Sequence, residues 1–316
     1  MKKFGLITLI ALLGLILLRL GIYCFADKSP TRTFYLNAND ENSYMILNVL
    51  SKALKKEGVN TVVSDKAHFQ SGKFNIYAAQ SEDDLPQVID KTAINFLWLP
   101  KVRQDTPEPL RPFDVIVTQS ALSFSHLKAI NVRTAYIPPA FDVSTQKAKD
   151  TQPKLMFYGD NDKGFSLSLY LAGPTDLKID VYGKGFEGFW GYDEIMKEPV
   201  KAEDFRRYAL ALADQSEEEI RDELINPQII KIIENGGVPY IRYNYGVYRI
   251  FGEDLPMYRN ENEFLPKVKE LLARPNEVAK YRNRIREIAE NWNSRSQAKK
   301  FIELFEVMEK KMIKND

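Results

Sequence analysis

Residues 226–242, NPQIIKIIENGGVPYIR, read as a capped helix, a glycine stop and a buried strand in immediate succession. Asn226 suits the cap and Pro227 the first helical position, and residues 229, 230, 232 and 233 form a broad apolar face before Gly236 and Gly237 end the helix. A unit of this kind belongs to an α/β layer. The helix aims its amino end at the crevice beside the preceding strand, where free N–H groups and the positive dipole end favour an anion, a diphosphate being the commonest biological one. A tightly packed α/β domain also uses the same unit purely as architecture.

Similar units recur on both sides of it. Residues 32–38 read as a first strand and 43–57 as an amphipathic helix, followed by short apolar runs at 61–64, 74–78, 94–99 and 115–118, a helix at 122–130 and a run at 134–137. Residues 142–153 are polar and lack an apolar period, which marks a linker. A second series follows: strands at 154–158, 177–182, 210–213, 239–243 and 256–258, a helix near 166–171, and helices at 261–272 and 276–311. The expected fold class is α/β, with two Rossmann-like domains facing a cleft and an N-terminal transmembrane helix. The expected units are an anchor at 1–25, a first α/β domain at 30–141, the linker at 142–153 and a second α/β domain with C-terminal helices at 154–316.

The anchor rests on residues 4–24, almost wholly apolar and long enough to span a bilayer, with Arg19 near one end where it can snorkel. A cleaved signal peptide is the rival reading, and no clean Ala-x-Ala site follows. The expected location is a membrane, crossed once. Lys2 and Lys3 on one flank and Arg19, Lys28 and Arg32 on the other leave the side of the main body unassigned.

Charge and composition exclude several classes. Without Lys2, Lys3 and Arg19 the 44 basic residues fall to 41 against 43 acidic ones, about −2 in formal charge, and no basic stripe interleaved with aromatics is present. No nucleic-acid partner is expected. A single cysteine, Cys24, excludes an intramolecular disulfide framework, and His68 and His126 form no local metal pattern, so no metal and no cofactor are expected. Neither a Walker motif nor GxGxxG occurs, and no serine–histidine–acid arrangement is visible.

Two further loops follow strands. In Tyr158-Gly-Asp-Asn-Asp-Lys-Gly164, Gly159 and Gly164 let backbone approach a ligand, and Lys163 can meet a phosphate as a mobile point charge. In Tyr182-Gly-Lys-Gly-Phe186, Tyr182 and Gly183 stand where a loop can approach a nucleoside, and ordinary tight turns would use the same residues. If both loops and the Asn226 helix leave the carboxyl ends of parallel strands, they meet where open α/β sheets bind ligands.

With these motifs in order, the second domain resembles the carboxyl-terminal half of GT-B glycosyltransferases, especially the spore-maturation CgeB-like branch, with a fainter similarity to α-1,3-fucosyltransferases. The resemblance rests on the two loops, on the 226–237 segment, on Phe251-Gly-Glu-Asp-Leu-Pro-Met-Tyr258 and on the 271–277 run before a long helical tail, and covers about 154–308. In the first domain it rests on layout and on 113–120. It implies a glycosyltransferase whose nucleotide-sugar donor lies on the second domain and whose glycan or lipid-linked acceptor lies on the first. Asn226 and Gln228 then fall at the helix start facing the donor diphosphate. Lys231 falls where the family has a carboxylate, and a lysine can bind phosphate but cannot accept ribose hydroxyl hydrogens. Glu234 is the carboxylate that would replace it in another register. The alternative is a degenerate GT-B fold that binds or assembles glycans without transfer.

Arg242, Tyr245, Tyr248 and Arg249 are expected near the cleft, where an arginine, Arg249 above all, can neutralise a leaving diphosphate in a metal-independent transfer. Asp160-Asn-Asp162 has the spacing of a metal motif but lies in the donor loop. For an inverting transfer the base candidates are Asp40 and Glu41, after the first strand, with Asp65 and His68 as alternatives. Asp40 can equally cap the helix that follows.

Overall fold

The computed structural model describes residues 32–86, 89–102, 108–144, 151–160, 166–173, 175–186, 194–196 and 200–315. The anchor expected at 4–24, Lys163 and Gly164 lie outside these residues. No helix among the described residues is long and apolar enough to cross a membrane.

The first half is one parallel sheet of β1 (Thr33–Ala38), β2 (Asn60–Ser64), β3 (Phe74–Ala78), β4 (Ile94–Leu99), β5 (Val115–Thr118) and β6 (Thr134–Tyr136), in the order β2-β1-β3-β4-β5-β6. Strands β3, β4 and β5 are buried at every position, as unbroken apolar runs covered on both faces must be. Helix α1 (Glu41–Lys56) follows β1 and turns Leu47, Leu50 and Leu54 inward; α2 (Ala121–Ala129) follows β5.

The second half repeats the scheme with β7 (Gln152–Tyr158), β8 (Ile179–Tyr182), β9 (Glu194–Met196), β10 (Tyr208–Leu212), β11 (Pro239–Arg242) and β12 (Met257–Tyr258), in the order β12-β11-β10-β7-β8-β9, all parallel. Its helices are α3 (Leu167–Ala172), α4 (Ala202–Arg207), α5 (Glu217–Arg221), α6 (Pro227–Glu234), α7 (Tyr245–Phe251), α8 (Glu261–Leu272) and α9 (Pro275–Asn291). In each sheet the chain reverses its direction of travel once, between β1 and β3 and between β7 and β10. Those reversals open the crevices in which doubly wound sheets bind ligands.

The final helix departs from the sequence reading in two ways. The expected helix at 276–311 breaks at Trp292 and Asn293, and α10 (Ser294–Asn315) starts anew with the Ser294 N–H donating to Asp142 Oδ1 at 3.0 Å. Its stripe of Ala298, Phe301, Phe305 and Met308 then enters the core of the first sheet, where the Phe305 ring stacks on Phe96 at 3.9 Å and meets Phe34 at 4.5 Å. A range of 154–316 thus joins α10 to a sheet on which it does not pack. Spacing of three and four residues reveals that a helix has an apolar face, not which sheet receives it.

The two halves touch through the carboxyl ends of their strands. Lys101, after β4, bridges Glu218 and reaches Asp222 Oδ2 at 3.0 Å, and Ser120 Oγ, after β5, donates to the Asp222 carbonyl at 2.6 Å. Phe141 packs edge-on against Phe251 at 5.3 Å where the chain leaves the first half.

Candidate functional site

Strands β7, β10, β11 and β12 end at a cavity of about 1190 Å³. Asp160 comes from beyond β7, Asp214, Gln215 and Ser216 from beyond β10, Arg242 from the end of β11, and Tyr258 and Arg259 from β12 and its exit. The amino ends of α6 and α8 add Asn226, Gln228, Asn260 and Glu261. Every described lining residue belongs to the second half.

Local hydrogen bonding fixes this rim. Asn226 caps α6 as its sequence predicts, its Oδ1 accepting the Gln228 N–H at 2.7 Å, while its Nδ2 donates to both Glu219 oxygens at 3.0 Å. Glu219 also receives the Ser216 N–H at 2.7 Å, so one carboxylate ties α5 to α6. The free N–H groups expected at this helix start are already engaged: Pro227 has none, and those of Ile229 and Ile230 reach the Asn226 carbonyl at 3.0 and 3.3 Å. What α6 offers the cavity is its dipole and the Gln228 amide.

Beneath the rim, buried Asn244 donates to Gln215 Oε1 and the Leu224 carbonyl, both at 2.8 Å, and accepts the Gly246 N–H at 2.8 Å. Gln215 in turn donates to the Arg242 carbonyl at 2.9 Å. The loops after β10 and β11 are therefore locked together, which orients Arg242 into the cavity.

Acidic residues outnumber basic ones on the rim, yet most have partners. Glu217 pairs with Arg242, Glu218 with Lys101, Glu219 with Asn226 and Ser216, and Asp214 Oδ1 accepts the Ser168 N–H at 3.0 Å. The Arg259 guanidinium lies over the Tyr243 ring at 5.3 Å, with no ion pair among the described residues. It is the cation best placed to take up an incoming anion.

Of the loop glycines, Gly183 sits so close to its neighbour that an added Cβ would stand 1.7 Å from the Gly159 carbonyl oxygen, and a Cβ on Gly159 would meet the Gln228 amide at 2.9 Å. Their lack of a side chain serves close approach of the β7 and β8 exits to each other and to α6. Tyr182 is buried at 4 % exposure, with its hydroxyl 3.1 Å from that of Tyr208, which donates to Asp180 Oδ2 at 2.5 Å. Only its backbone reaches the loop, its carbonyl accepting the Gly159 N–H at 3.1 Å.

Lys231 and Glu234 do not line this cavity. Lys231 is exposed with its ammonium 5.6 Å from the Tyr158 ring, and Glu234 holds the interdomain linker, its Oε1 accepting the Asp142 N–H at 3.0 Å and its carbonyl the Ser144 N–H at 2.7 Å. Burial keeps the Glu234 carboxyl above its usual value, against the Asp142 hydrogen bond that favours the charged form. Asp40 caps α1, accepting the Ser43 N–H at 2.8 Å and hydroxyl at 2.6 Å, and Glu41 is exposed beside it. Asp65 and His68 form an exposed pair at 3.1 Å beyond β2.

Arg249 stacks across the interface onto Tyr136 at 4.7 Å and Phe124 at 5.8 Å. Sequence reasoning missed the two groups beside it. Tyr136 has a buried hydroxyl without a partner among the described residues, its pKa pushed up to about 12 by burial against the influence of Arg249. Glu223 adopts a φ of 55°, and its carbonyl oxygen would be 2.1 Å from a Cβ on Gly246. Burial raises its carboxyl and Arg249 opposes the shift. Gly246 is the one trace of this contact in the sequence, since a left-handed glutamate leaves no pattern. Among the described residues, no group of three or more His, Cys, Asp or Glu is arranged to hold a metal ion.

Two doubly wound parallel sheets that meet through their strand carboxyl ends, with a cavity at the second switch point, are the architecture of GT-B glycosyltransferases. A glycosyltransferase from Rickettsia africae superposes with a TM-score of 0.59 at 9% identity, over 91% of this chain and 100% of that one. An α1,3-fucosyltransferase solved with GDP gives 0.52 at 13% identity, over 81% and 83%. A Staphylococcus aureus TarM mutant solved with UDP, fondaparinux and α-GlcNAc-glycerol gives 0.55 at 12% identity over 81% of this chain, which spans 58% of that longer one. At such identities the likeness establishes the fold. The chain matches no protein-family model and no curated protein.

Proposed function

We propose that the chain transfers a sugar from a nucleotide-sugar donor to a glycan or lipid-linked acceptor. The observation that carries this reading is the cavity of about 1190 Å³ at the β7/β10 switch point, which joins the amino ends of two capped helices to Arg242 and Arg259. A nucleoside diphosphate suits it: the guanidinium groups meet the phosphates in fork geometry, and the dipoles of α6 and α8 add positive potential. The UDP and GDP bound in the TarM and fucosyltransferase structures support the same donor class. As the glycosidic bond to the diphosphate breaks, negative charge collects on the leaving oxygens, and arginine can stabilise it without a metal.

The acceptor is assigned to the first half, with Asp40, Glu41 and the newly located Glu223 as the carboxylates from which its base is drawn. CgeB-like specificity and a single-pass anchor at 4–24 belong to the same proposal. The test is calorimetric binding of a UDP-sugar and GDP-sugar panel to the full chain, with hydrolysis and transfer followed in parallel. Saturable donor binding with turnover is expected. Absence of both overturns the proposal, and binding without turnover supports instead the degenerate glycan-binding reading.

A further inference from the structure

A second cavity, of about 560 Å³, opens on the opposite edge of the second sheet. It lies beside Thr151, Arg206 and Gly237, which precede β7, β10 and β11, so it faces the amino ends of the strands whose carboxyl ends form the first cavity. Strands of four to seven residues put the two cavities roughly 13–23 Å apart.

Its character is set by arginine. Arg282 and Arg286 stand four residues apart on α9 and therefore on one face, and Arg206, at 6 % exposure, comes from α4. Arg282 donates to Thr151 Oγ1 and to the Tyr208 carbonyl, both at 2.8 Å, and Arg206 to the Asn235 carbonyl at 3.4 Å. The Nε groups of Arg282 and Arg286 are buried without a hydrogen-bond partner among the described residues; Arg286 forms an ion pair with Glu290 at 3.8 Å, and Glu287 adds one carboxylate to the lining. Like charges four apart on a helix repel, and buried donors left without acceptors cost stability. A phosphoryl oxyanion in the cavity offsets this repulsion, and Arg286, whose one ionic partner among the described residues is Glu290, is the guanidinium best able to turn a fork toward it.

We infer that this arginine-lined cavity is an anion site separate from the donor cavity, taking inorganic phosphate or the phosphoryl group of a small phosphate ester. Ser144 and Thr151 also line it. The inference does not rest on the proposed sugar transfer.

The test uses the full chain at constant ionic strength, titrated with inorganic phosphate and, separately, with glycerol phosphate, by calorimetry and thermal unfolding. One phosphate per chain and a rising thermal midpoint are expected; tighter binding of the ester marks an esterified ligand, weaker binding free phosphate. Arg286→Gln is expected to weaken phosphate binding at least tenfold and Arg286→Lys less so, whereas Arg259→Gln in the donor cavity leaves it intact. Arg282→Gln is the less informative change, because its hydrogen bonds to Thr151 and Tyr208 also hold the fold. Unchanged binding in Arg286→Gln, loss in Arg259→Gln, or an equal midpoint shift with chloride each overturns the site. Donor-sugar binding lost in Arg259→Gln while phosphate binding persists separates the fate of this site from that of the transferase reading.

Discussion

At Arg259 the proposed donor chemistry comes down to one guanidinium held over Tyr243 with no carboxylate bound to it among the described residues. A hydrogen bond to a charged phosphate contributes about 1.5–3 kcal/mol, so Arg259→Gln is expected to weaken nucleotide-sugar binding roughly 10- to 100-fold in calorimetry. An unchanged affinity would place the diphosphate elsewhere. Glu234 gives a pH test. Its carboxyl sits above its ordinary value of 4.5 because it is half-buried, so the folded chain keeps a proton that the unfolded chain has released. That contribution to stability is full below 4.5 and is lost as pH rises through the folded value. In Glu234→Gln, which keeps an acceptor for the Asp142 N–H, the loss disappears. The thermal midpoint of the variant should therefore gain on the parent as pH rises, and a constant difference contradicts the buried-carboxylate account. Neither residue's part was visible beforehand: Arg259 stands in no motif, and Glu234 has the composition of a helix face but takes the Asp142 and Ser144 N–H groups as its partners.

Among elements, the α6–β11 unit was the most legible, because cap, proline, apolar face and glycine stop are all local instructions. The loops that hold it were not. Asn244 is one polar residue between two short elements in the sequence, yet in three dimensions it satisfies Gln215, Leu224 and Gly246 together. Replacing it with alanine leaves several buried groups without partners, and Asn244→Ala should cost about 2–4 kcal/mol in denaturant unfolding. A cost under 1 kcal/mol would mean that water enters the knot. In sequence the glycine-bearing turns suit a ligand or a tight turn equally; in the structure Gly183 lets backbone meet backbone and Gly159 leaves room for the Gln228 side chain. Spacing marks where a side chain is unwelcome and is silent on what fills the space. Short helices such as α4, α5 and α7 escaped prediction because five to seven residues are too few to display a period.

Across the whole molecule, the two sheets were legible because parallel strands buried on both faces leave unbroken apolar runs. Their contacts were not, since Lys101, Ser120 and Tyr136 meet partners roughly a hundred residues away. The Lys101–Asp222 bridge supplies an interdomain pH test. Burial opposes ionisation of Asp222, but the hydrogen bonds from Arg221 and Lys101 outweigh it and hold its pKa below 3.8. The bridge is thus complete above that value and lost as pH falls through the lowered one, so interdomain contacts should loosen in acid, read as faster amide exchange in 218–223, and Lys101→Met should reduce that pH dependence to the part that Arg221 sustains. Helix α10 carries the larger consequence. Phe305 fills the first core among Phe34, Phe74 and Phe96, and Phe305→Ala should cost about 3–5 kcal/mol, with lost exchange protection concentrated in β1, β3 and β4 rather than in the second half to which it is joined in sequence. The same arrangement governs the order of events on the ribosome. The first sheet is synthesised early but stays an unfinished, apolar-faced intermediate until residues 298–308 have emerged, so the half that begins folding first is the last to be sealed.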